Sequence, residues 1–327
     1  MSQEYDNESK ILIDKNLVCK SDVFPFSETP DEQVFNNFYL FCRKTLDTQD
    51  FARKVSPVYF YYKNLFSLNA SATRTKENIN VISINSGLIQ WSLINLWNNK
   101  ELNDYIYKYF PNISSNLDNP ISILNFQIAT QFTFYHELAH LIQFSKKDEE
   151  NTLQENCLIP KEFKTSNHII ELNADSYASI KISDHLRQYF ERCFSNKLTK
   201  EIYEESLAIT ICCLFNYLLS FPGSDSSIYF YEKTHPHPYI RLSNIFIRIF
   251  HQLNQNPYLK DKGIYIETNK LGRFIIDLYM KMEEDKIFKT SFKTLYEDAY
   301  TKQEQIVKYI AEMSEFNTTE YKNAFDN

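Results

Sequence analysis

Residues 136–140 read His-Glu-Leu-Ala-His, and no other five residues of the chain imply so definite a chemistry. Two histidines four positions apart lie one above the other on the same face of an α-helix. Their imidazoles can share one Zn²⁺ ion, and Glu137 between them lies within reach of a water molecule on the metal. The sequence therefore predicts zinc ligands at His136 and His140 and a catalytic base at Glu137.

The helix that carries this motif is predicted to be long and buried. Asn119 and Pro120 suit its N-cap and its first helical position. The helical pattern then continues for about 25 residues. Apolar side chains lie on all sides of it between Phe126 and Phe144, which is typical of a central helix.

A catalytic zinc site also needs a third protein ligand and an open position for water. One class of zinc enzyme has a histidine six residues after the second motif histidine, but Lys146 stands at that position here. Another class takes a glutamate from a later helix, and Glu171 lies 31 residues beyond His140. Glu171 and Asp175 share a helix face, so Asp175 can accept the free ring N–H of a zinc histidine while Glu171 binds the metal.

Other interpretations of these residues stay open. A glutamate and an aspartate four positions apart are usually solvated helix charges, and two buried histidines can simply bond to the backbone. Glu155 and His168 are weaker alternatives for the third ligand. The order of the motifs, a buried HExxH helix and then Glu171, favours the metal site.

Composition narrows the fold and the partners. A chain of 327 residues with only four glycines favours long helices over a turn-dense all-β fold. The net charge of −7, without a block of lysine and arginine, disfavours a nucleic-acid-binding surface. The longest apolar run, Leu207 to Phe221, is shorter than the roughly 20 residues that span a bilayer, so we expect a core helix. Without a signal region or an anchor, we expect a cytoplasmic protein with no membrane or nucleic-acid partner.

The hydrophobic pattern predicts an α+β fold that is predominantly helical, with a small N-terminal β-sheet and the HExxH helix as the active helix. Residues 1 to 28 are predicted to lie on the surface, before a helix that opens at Thr29-Pro30-Asp31-Glu32. The other predictions are strands at 58–62 and 79–85, loops at 71–77 and 146–166, and helices at 168–182, near 201–221, after 234–238 and, two or three in number, within 264–327.

The domain organisation is predicted to be simple. We expect one composite domain, 1–327, because the chain contains no internal repeat and no low-complexity linker. Its parts would be an N-terminal extension and helix (1–55), a zinc metallopeptidase core (56–255) and a C-terminal helical region (256–327).

Three blocks of sequence carry a resemblance to known enzymes. They are Phe-Tyr-His-Glu-Leu-Ala-His at 134–140, Glu-Leu-Asn-Ala-Asp-Ser-Tyr-Ala at 171–178 and Thr-His-Pro-His-Pro-Tyr-Ile-Arg-Leu-Ser-Asn-Ile at 234–245. In this order they resemble the gluzincin metallopeptidases, and within them the M48-like group and the phage-exclusion Lit peptidases. The passage Ile-Ser-Ile-Asn-Ser-Gly-Leu at 82–88 is similar to the segment before the active helix of M48-like enzymes.

The resemblance implies a gluzincin-like zinc peptidase domain with one Zn²⁺ per chain, held by His136, His140 and Glu171. Glu137 would take a proton from the attacking water and pass it to the leaving amine. Asp175 would orient a zinc histidine through its second ring nitrogen.

The resemblance also gives a role to the third block. Its His-Pro-four-residues-Arg pattern, at His235, Pro236 and Arg241, implies that His235 lies near the metal. Arg241, about two helical turns later, would order Glu171 or the developing oxyanion. His237 is a second candidate for the role of His235. Without the resemblance, the His-Pro-His-Pro run indicates only a stiff turn before a helix.

The implied function is that of a soluble zinc endopeptidase that cleaves a cytosolic protein. Similarity to the Lit peptidases implies bacterial anti-phage defence, with an essential host protein such as a translation elongation factor as the substrate. Because uncontrolled proteolysis is harmful, we expect a latent enzyme with an activating partner. The stretch 146–164, or the N-terminal 30 residues, would cover the cleft until that partner displaces it.

Strand 79–85 is expected at an edge of the sheet, where it would bind the substrate backbone as an added strand. A competing interpretation is a regulatory protein-binding module that retains the zinc peptidase fold. Retention of Glu137 argues against it, because a structural zinc site needs no base. A third interpretation, a peptidase effector delivered into another cell, has no support in the N-terminal sequence.

Overall fold

A computed structural model describes residues 3–48, 55–145, 164–221 and 227–315. Over these residues the fold is α+β and mostly helical, with one three-stranded sheet near the N-terminus, so the predicted fold class is confirmed. The chain divides into two compact units. Within the described residues, the first unit comprises 3–48, 55–91 and 133–145, and the second comprises 92–132, 164–221 and 227–315.

The secondary structure runs from α1 to α13, with three strands between α2 and α3. The strands are β1 (Val58–Lys63), β2 (Ala70–Arg74) and β3 (Asn80–Asn85). The helices up to the HExxH motif are α1 (Gln3–Asp14), α2 (Glu32–Thr48), α3 (Ser86–Ser92), α4 (Lys100–Tyr109), α5 (Pro111–Ser114) and α6 (Ile121–Phe144). Those after it are α7 (Thr165–Phe194), α8 (Lys200–Leu219), α9 (Pro238–Gln255), α10 (Pro257–Asp261), α11 (Thr268–Glu284), α12 (Phe292–Thr301) and α13 (Gln303–Glu315).

The sheet has the order β1-β3-β2, so β3 is its central strand. β3 pairs with β1 in parallel and with β2 in antiparallel orientation, and all six of its residues are buried. The expectation of a half-exposed edge strand at 79–85 is therefore wrong, and so is its proposed pairing with substrate. An alternating pattern indicates which residues share a face, but it does not indicate how many neighbours the strand has.

β2 occupies a stretch that the sequence predicts to be mostly loop. Ala70–Arg74 reads Ala-Ser-Ala-Thr-Arg, which lacks the large β-branched and aromatic residues that favour strands. Pairing with β3 makes it a strand, and the hydroxyls of Ser71 and Ser83 lie 2.8 Å apart across the pair. Tertiary pairing has here overridden the local preference.

The N-terminal segment belongs to the core of the first unit, so the prediction of a surface segment is wrong. On α1, Tyr5 and Leu12 are fully buried. The N–H of Phe60 on β1 donates to Glu8 (2.7 Å), and the N–H of Tyr62 donates to the Tyr5 hydroxyl (3.2 Å). The side chains of α1 thus satisfy main-chain groups along the outer edge of β1.

Aromatic contacts hold the motif end of α6 against the sheet and α2. The ring of Phe134 lies 5.8 Å from that of Phe41 on α2 and 6.3 Å from that of Phe60 on β1. Phe41 also contacts the ring of Tyr135 at 6.0 Å. Phe134 and Tyr135 directly precede His136, so their packing sets the position of the first motif histidine.

In the second unit, α7 packs along α9 and α8 packs against α11. Helix α8 is long and apolar enough to cross a membrane by length and composition, but 83% of its most apolar window is buried inside the protein. Core helices pass the same test, and the Cys212 thiol of α8 bonds to the carbonyl of Ile275 on α11 (3.5 Å). Among the described residues after 264, the chain forms three helices, α11 to α13, as the sequence predicts.

The Glu8 carboxyl makes folding stability depend on pH. Burial raises its pKa above the ordinary value of 4.5, although Arg43, the Tyr39 hydroxyl and the Phe60 N–H oppose the shift. The folded state then holds the proton more tightly than the unfolded state, so this contribution is complete below pH 4.5 and is lost as pH rises through the folded pKa. We expect the free energy of unfolding of the wild type, relative to Glu8→Gln, to fall as pH rises above 4.5. Urea unfolding of both proteins at several pH values above 4.5 measures this difference in free energy. A difference that does not change with pH would contradict the prediction.

Candidate metal centre

The two motif histidines point their ring nitrogens at each other. His136 and His140 are both buried on α6, and their Nε2 atoms lie 3.1 Å apart. Two imidazoles on one tetrahedral Zn²⁺, with Zn–N bonds near 2.05 Å, place their nitrogens about 3.3 Å apart. The pair therefore has nearly the separation that chelation of one metal ion requires.

A hydrogen bond orients the second histidine. The Nδ1 atom of His140 lies 2.9 Å from the amide oxygen of Gln143, which is also buried. An amide oxygen can only accept, so Nδ1 carries the proton and Nε2 keeps its lone pair. Gln143 thereby gives His140 the tautomer that a metal ligand needs. Gln143 is not among the predicted site residues, although its position one turn after His140 on the same helix could have indicated this contact.

Glu171 completes a group of three that can hold a metal ion. His136, His140 and Glu171 are all buried, and one ligand atom from each lies within 4.8 Å of the others. Two imidazole nitrogens and one carboxylate oxygen are the donors of a common catalytic zinc site. The residues that the structure brings together therefore fit the ion that the sequence predicts.

His235 approaches the carboxylate of Glu171. Its Nε2 lies 3.8 Å from Oε1 of Glu171, and its side chain remains about one-third exposed. The Thr234 hydroxyl lies 2.9 Å from Nδ1 of the same ring. This places an imidazole beside the third predicted ligand, where it can reach a group bound at the site.

Asp175 forms a two-bond ion pair with Arg241. Nε and Nη2 of the guanidinium each donate to one carboxylate oxygen at 2.8 Å, and Asp175 has no exposed surface. The pair links α7 to α9, and the amide of Asn244 adds a bond to the carbonyl of Leu172 (2.9 Å). Arg241 thus orders the carboxylate one turn beyond Glu171. The predicted bond from Asp175 to a zinc histidine stays a prediction.

His237 has a structural role in the second unit. It is the N-cap of α9, where its Nδ1 accepts the N–H of Tyr239 (3.1 Å). Its ring is fully buried and lies 4.7 Å from the ring of Tyr229. Of the two candidate histidines in the His-Pro-His-Pro run, His235 is therefore the one with a contact to Glu171.

The weaker alternatives for the third ligand have different outcomes. Glu155 lies outside the described residues. His168 is fully buried on α7, but its Nδ1 contacts the hydroxyl of Tyr309 and its Nε2 lies 2.9 Å from the carbonyl oxygen of Lys233. With both nitrogens engaged in hydrogen bonds, His168 has no lone pair to offer a metal ion.

Residues 61–258, more than half of the chain, match a peptidase family model. The chain belongs to that family, peptidase U49. All the predicted site residues, from His136 to Arg241, lie within the matched range. No curated protein and no solved structure matches the chain.

The Asp175–Arg241 pair makes a prediction about stability. Arg241→Met removes the cation and leaves a fully buried carboxylate without it, which costs roughly 3–5 kcal/mol for a buried pair. Arg248→Met is the matched control, because Arg248 is exposed on the same helix. Denaturant unfolding should show the large loss only for Arg241→Met. Equal stability of the two variants would contradict the structural importance of the pair.

Proposed function

We propose that this member of the peptidase U49 family is a zinc-dependent endopeptidase. The observation that carries the proposal is the buried group of His136, His140 and Glu171 on the HExxH helix and α7. Family membership supports peptide hydrolysis, and the donor set supports zinc among the metals. A zinc ion held by these residues supplies Lewis acidity and lowers the pKa of a bound water.

The residues around this group have separate tasks in the proposed mechanism. Glu137, buried between the two histidines in sequence, takes the proton from the attacking water and delivers it to the leaving amine. His235, partly exposed beside Glu171, donates to the developing oxyanion. Arg241 holds Asp175, and through it the helix turn that presents Glu171.

The biological setting is a further part of the proposal and rests on the resemblance to Lit peptidases. We propose a cytosolic protein as the substrate, such as a translation elongation factor, and a role in anti-phage defence. Latency is proposed as well, with release by an activating partner. Of the two segments expected to cover the cleft, the stretch 146–164 lies outside the described residues except for Lys164. The other, the N-terminal 30 residues, includes α1, which packs on β1 in the core of the first unit.

The metal itself gives the first test. Purified protein should contain about one zinc per chain, and His140→Ala should lose it because one of two chelating imidazoles is gone. His251→Ala is the matched control, since His251 is an exposed histidine on α9. Elemental analysis after dialysis against a weak chelator measures the content. Full zinc occupancy in His140→Ala would contradict the assignment of the site.

The proposed base gives the second test. Glu137→Gln should retain zinc and thermal stability but lose peptide cleavage by roughly 100-fold or more, as loss of a general base does. Glu201→Gln, an exposed carboxylate at the start of α8, is the control. New protein N-termini that appear in cells expressing the wild type but not Glu137→Gln identify the substrate. Latency is tested separately: the purified wild-type protein should cleave unfolded casein only slowly. Activity of Glu137→Gln within tenfold of wild type would contradict the proposed hydrolytic mechanism.

A further inference from the structure

His235 lies in a segment without regular structure, and its position depends on what holds that segment. Residues 227–237 form bends and irregular backbone between α8 and α9 in the second unit. The ring of His235 nevertheless has a defined place, 3.8 Å from Glu171. A segment of this kind keeps one geometry only where side chains from neighbouring elements satisfy its main-chain groups.

The start of the segment is held from the end of α12. The N–H of Ile228 donates to Asp298 (2.7 Å), and the ammonium of Lys302 donates to the carbonyl of the same residue (2.8 Å). Burial alone would raise the pKa of Asp298, but the Ile228 N–H and Lys302 lower it below the ordinary value, so the carboxylate is charged as an acceptor. Both polar main-chain groups of Ile228 are thereby satisfied.

The middle of the segment packs on α13. The ring of Tyr309 is buried and lies 5.6 Å from Phe230 and 5.7 Å from Tyr231. The hydroxyl of Tyr231 donates to Glu312 on the same helix (2.6 Å). These contacts come from residues 303–315, which lie beyond the range 61–258 that matches the family model.

The side chain of His168 on α7 bonds to the end of the segment. Its Nε2 lies 2.9 Å from the carbonyl oxygen of Lys233, so Nε2 carries the proton and donates. Its Nδ1 then accepts the hydroxyl of Tyr309. Burial lowers the pKa of His168 and raises that of Tyr309, so the imidazole is neutral and the phenol keeps its proton, as this arrangement requires.

We propose that His168 is a positioning residue for His235, a role that rests on the proposed function of the site. Lys233 precedes His235 by two residues, and His168 precedes Glu171 by one helical turn. The bond from His168 to Lys233 therefore fixes the distance between the His235 segment and the helix turn that carries Glu171. Tyr309, on α13, holds the imidazole in the tautomer that makes this bond. The position of α13 therefore affects the position of His235.

Two substitutions of His168 separate its two bonds. The amide of glutamine reaches the position of Nε2 and can donate to Lys233, but it has no atom at the position of Nδ1. The amide of asparagine reaches only the position of Nδ1, so it can accept from Tyr309 but loses Lys233. The two amides are similar in polarity and each variant keeps one of the two bonds, so faster exchange in His168→Asn than in His168→Gln assigns the larger effect to the bond to Lys233.

Hydrogen–deuterium exchange of the full chain is the first readout, because it needs no substrate. Loss of one net hydrogen bond should make the amides of residues 233–235 exchange roughly tenfold faster in His168→Asn than in His168→Gln. Tyr309→Phe, a milder change that removes one hydroxyl, should also speed exchange in 233–235 and serves if both His168 variants unfold. Equal exchange of 233–235 in His168→Asn and His168→Gln, or an unchanged rate in Tyr309→Phe, would overturn the proposal.

Turnover is the second readout, with the substrate found by the Glu137→Gln comparison. His168→Asn should lower kcat roughly tenfold with KM within threefold, because His235 acts on the transition state. His168→Gln should keep kcat within threefold of wild type, and both should retain zinc. Faster exchange together with unchanged kcat would overturn the link to His235. If exchange is faster in His168→Asn but the wild-type protein cleaves no substrate, the peptidase function is rejected. The hydrogen bond from His168 to Lys233 would still be supported.

Discussion

The buried carboxylate of Asp175 constrains how α7 and α9 pack in the second unit. A carboxylate with no exposed surface is tolerated only when a cation and hydrogen bonds replace its water, and the guanidinium of Arg241 supplies both. The fork geometry of this pair fixes α9 on α7 in one register. Because Glu171 lies one turn before Asp175 and the His235 segment leads directly into α9, the same register sets the distance between Glu171 and His235.

The parts of the molecule that could be predicted from the sequence are those encoded locally. The HExxH motif needs only five consecutive residues and a helix, and α6 begins one residue after the predicted Pro120. The helix with Glu171 and Asp175 and the three C-terminal helices follow from periodicity in the same way. For these features, local pattern and tertiary environment favour the same structure.

The parts that could not be predicted depend on partners distant in sequence. β2 is a strand because β3 lies beside it, and α1 is a core helix because Tyr5 and Glu8 meet main-chain groups of β1. His168 and Tyr309 are separated by 141 residues, so no spacing rule could pair them. Gln143 is the exception, since it lies one turn from His140 and helix spacing alone could have predicted its contact with that ring.

The two edges of the sheet differ in whether other parts of the protein bond to their outward main-chain groups. Along β1, side chains of α1 and Arg43 already bond to the outward main-chain groups of Val58, Phe60 and Tyr62. Along β2, antiparallel pairing with β3 turns the N–H and C=O groups of Ala70, Ala72 and Arg74 outward, and within the described residues no further strand pairs there. An extended chain can therefore join this sheet beside β2 only if it first uncovers that strand, because Ala70 and Ala72 are buried.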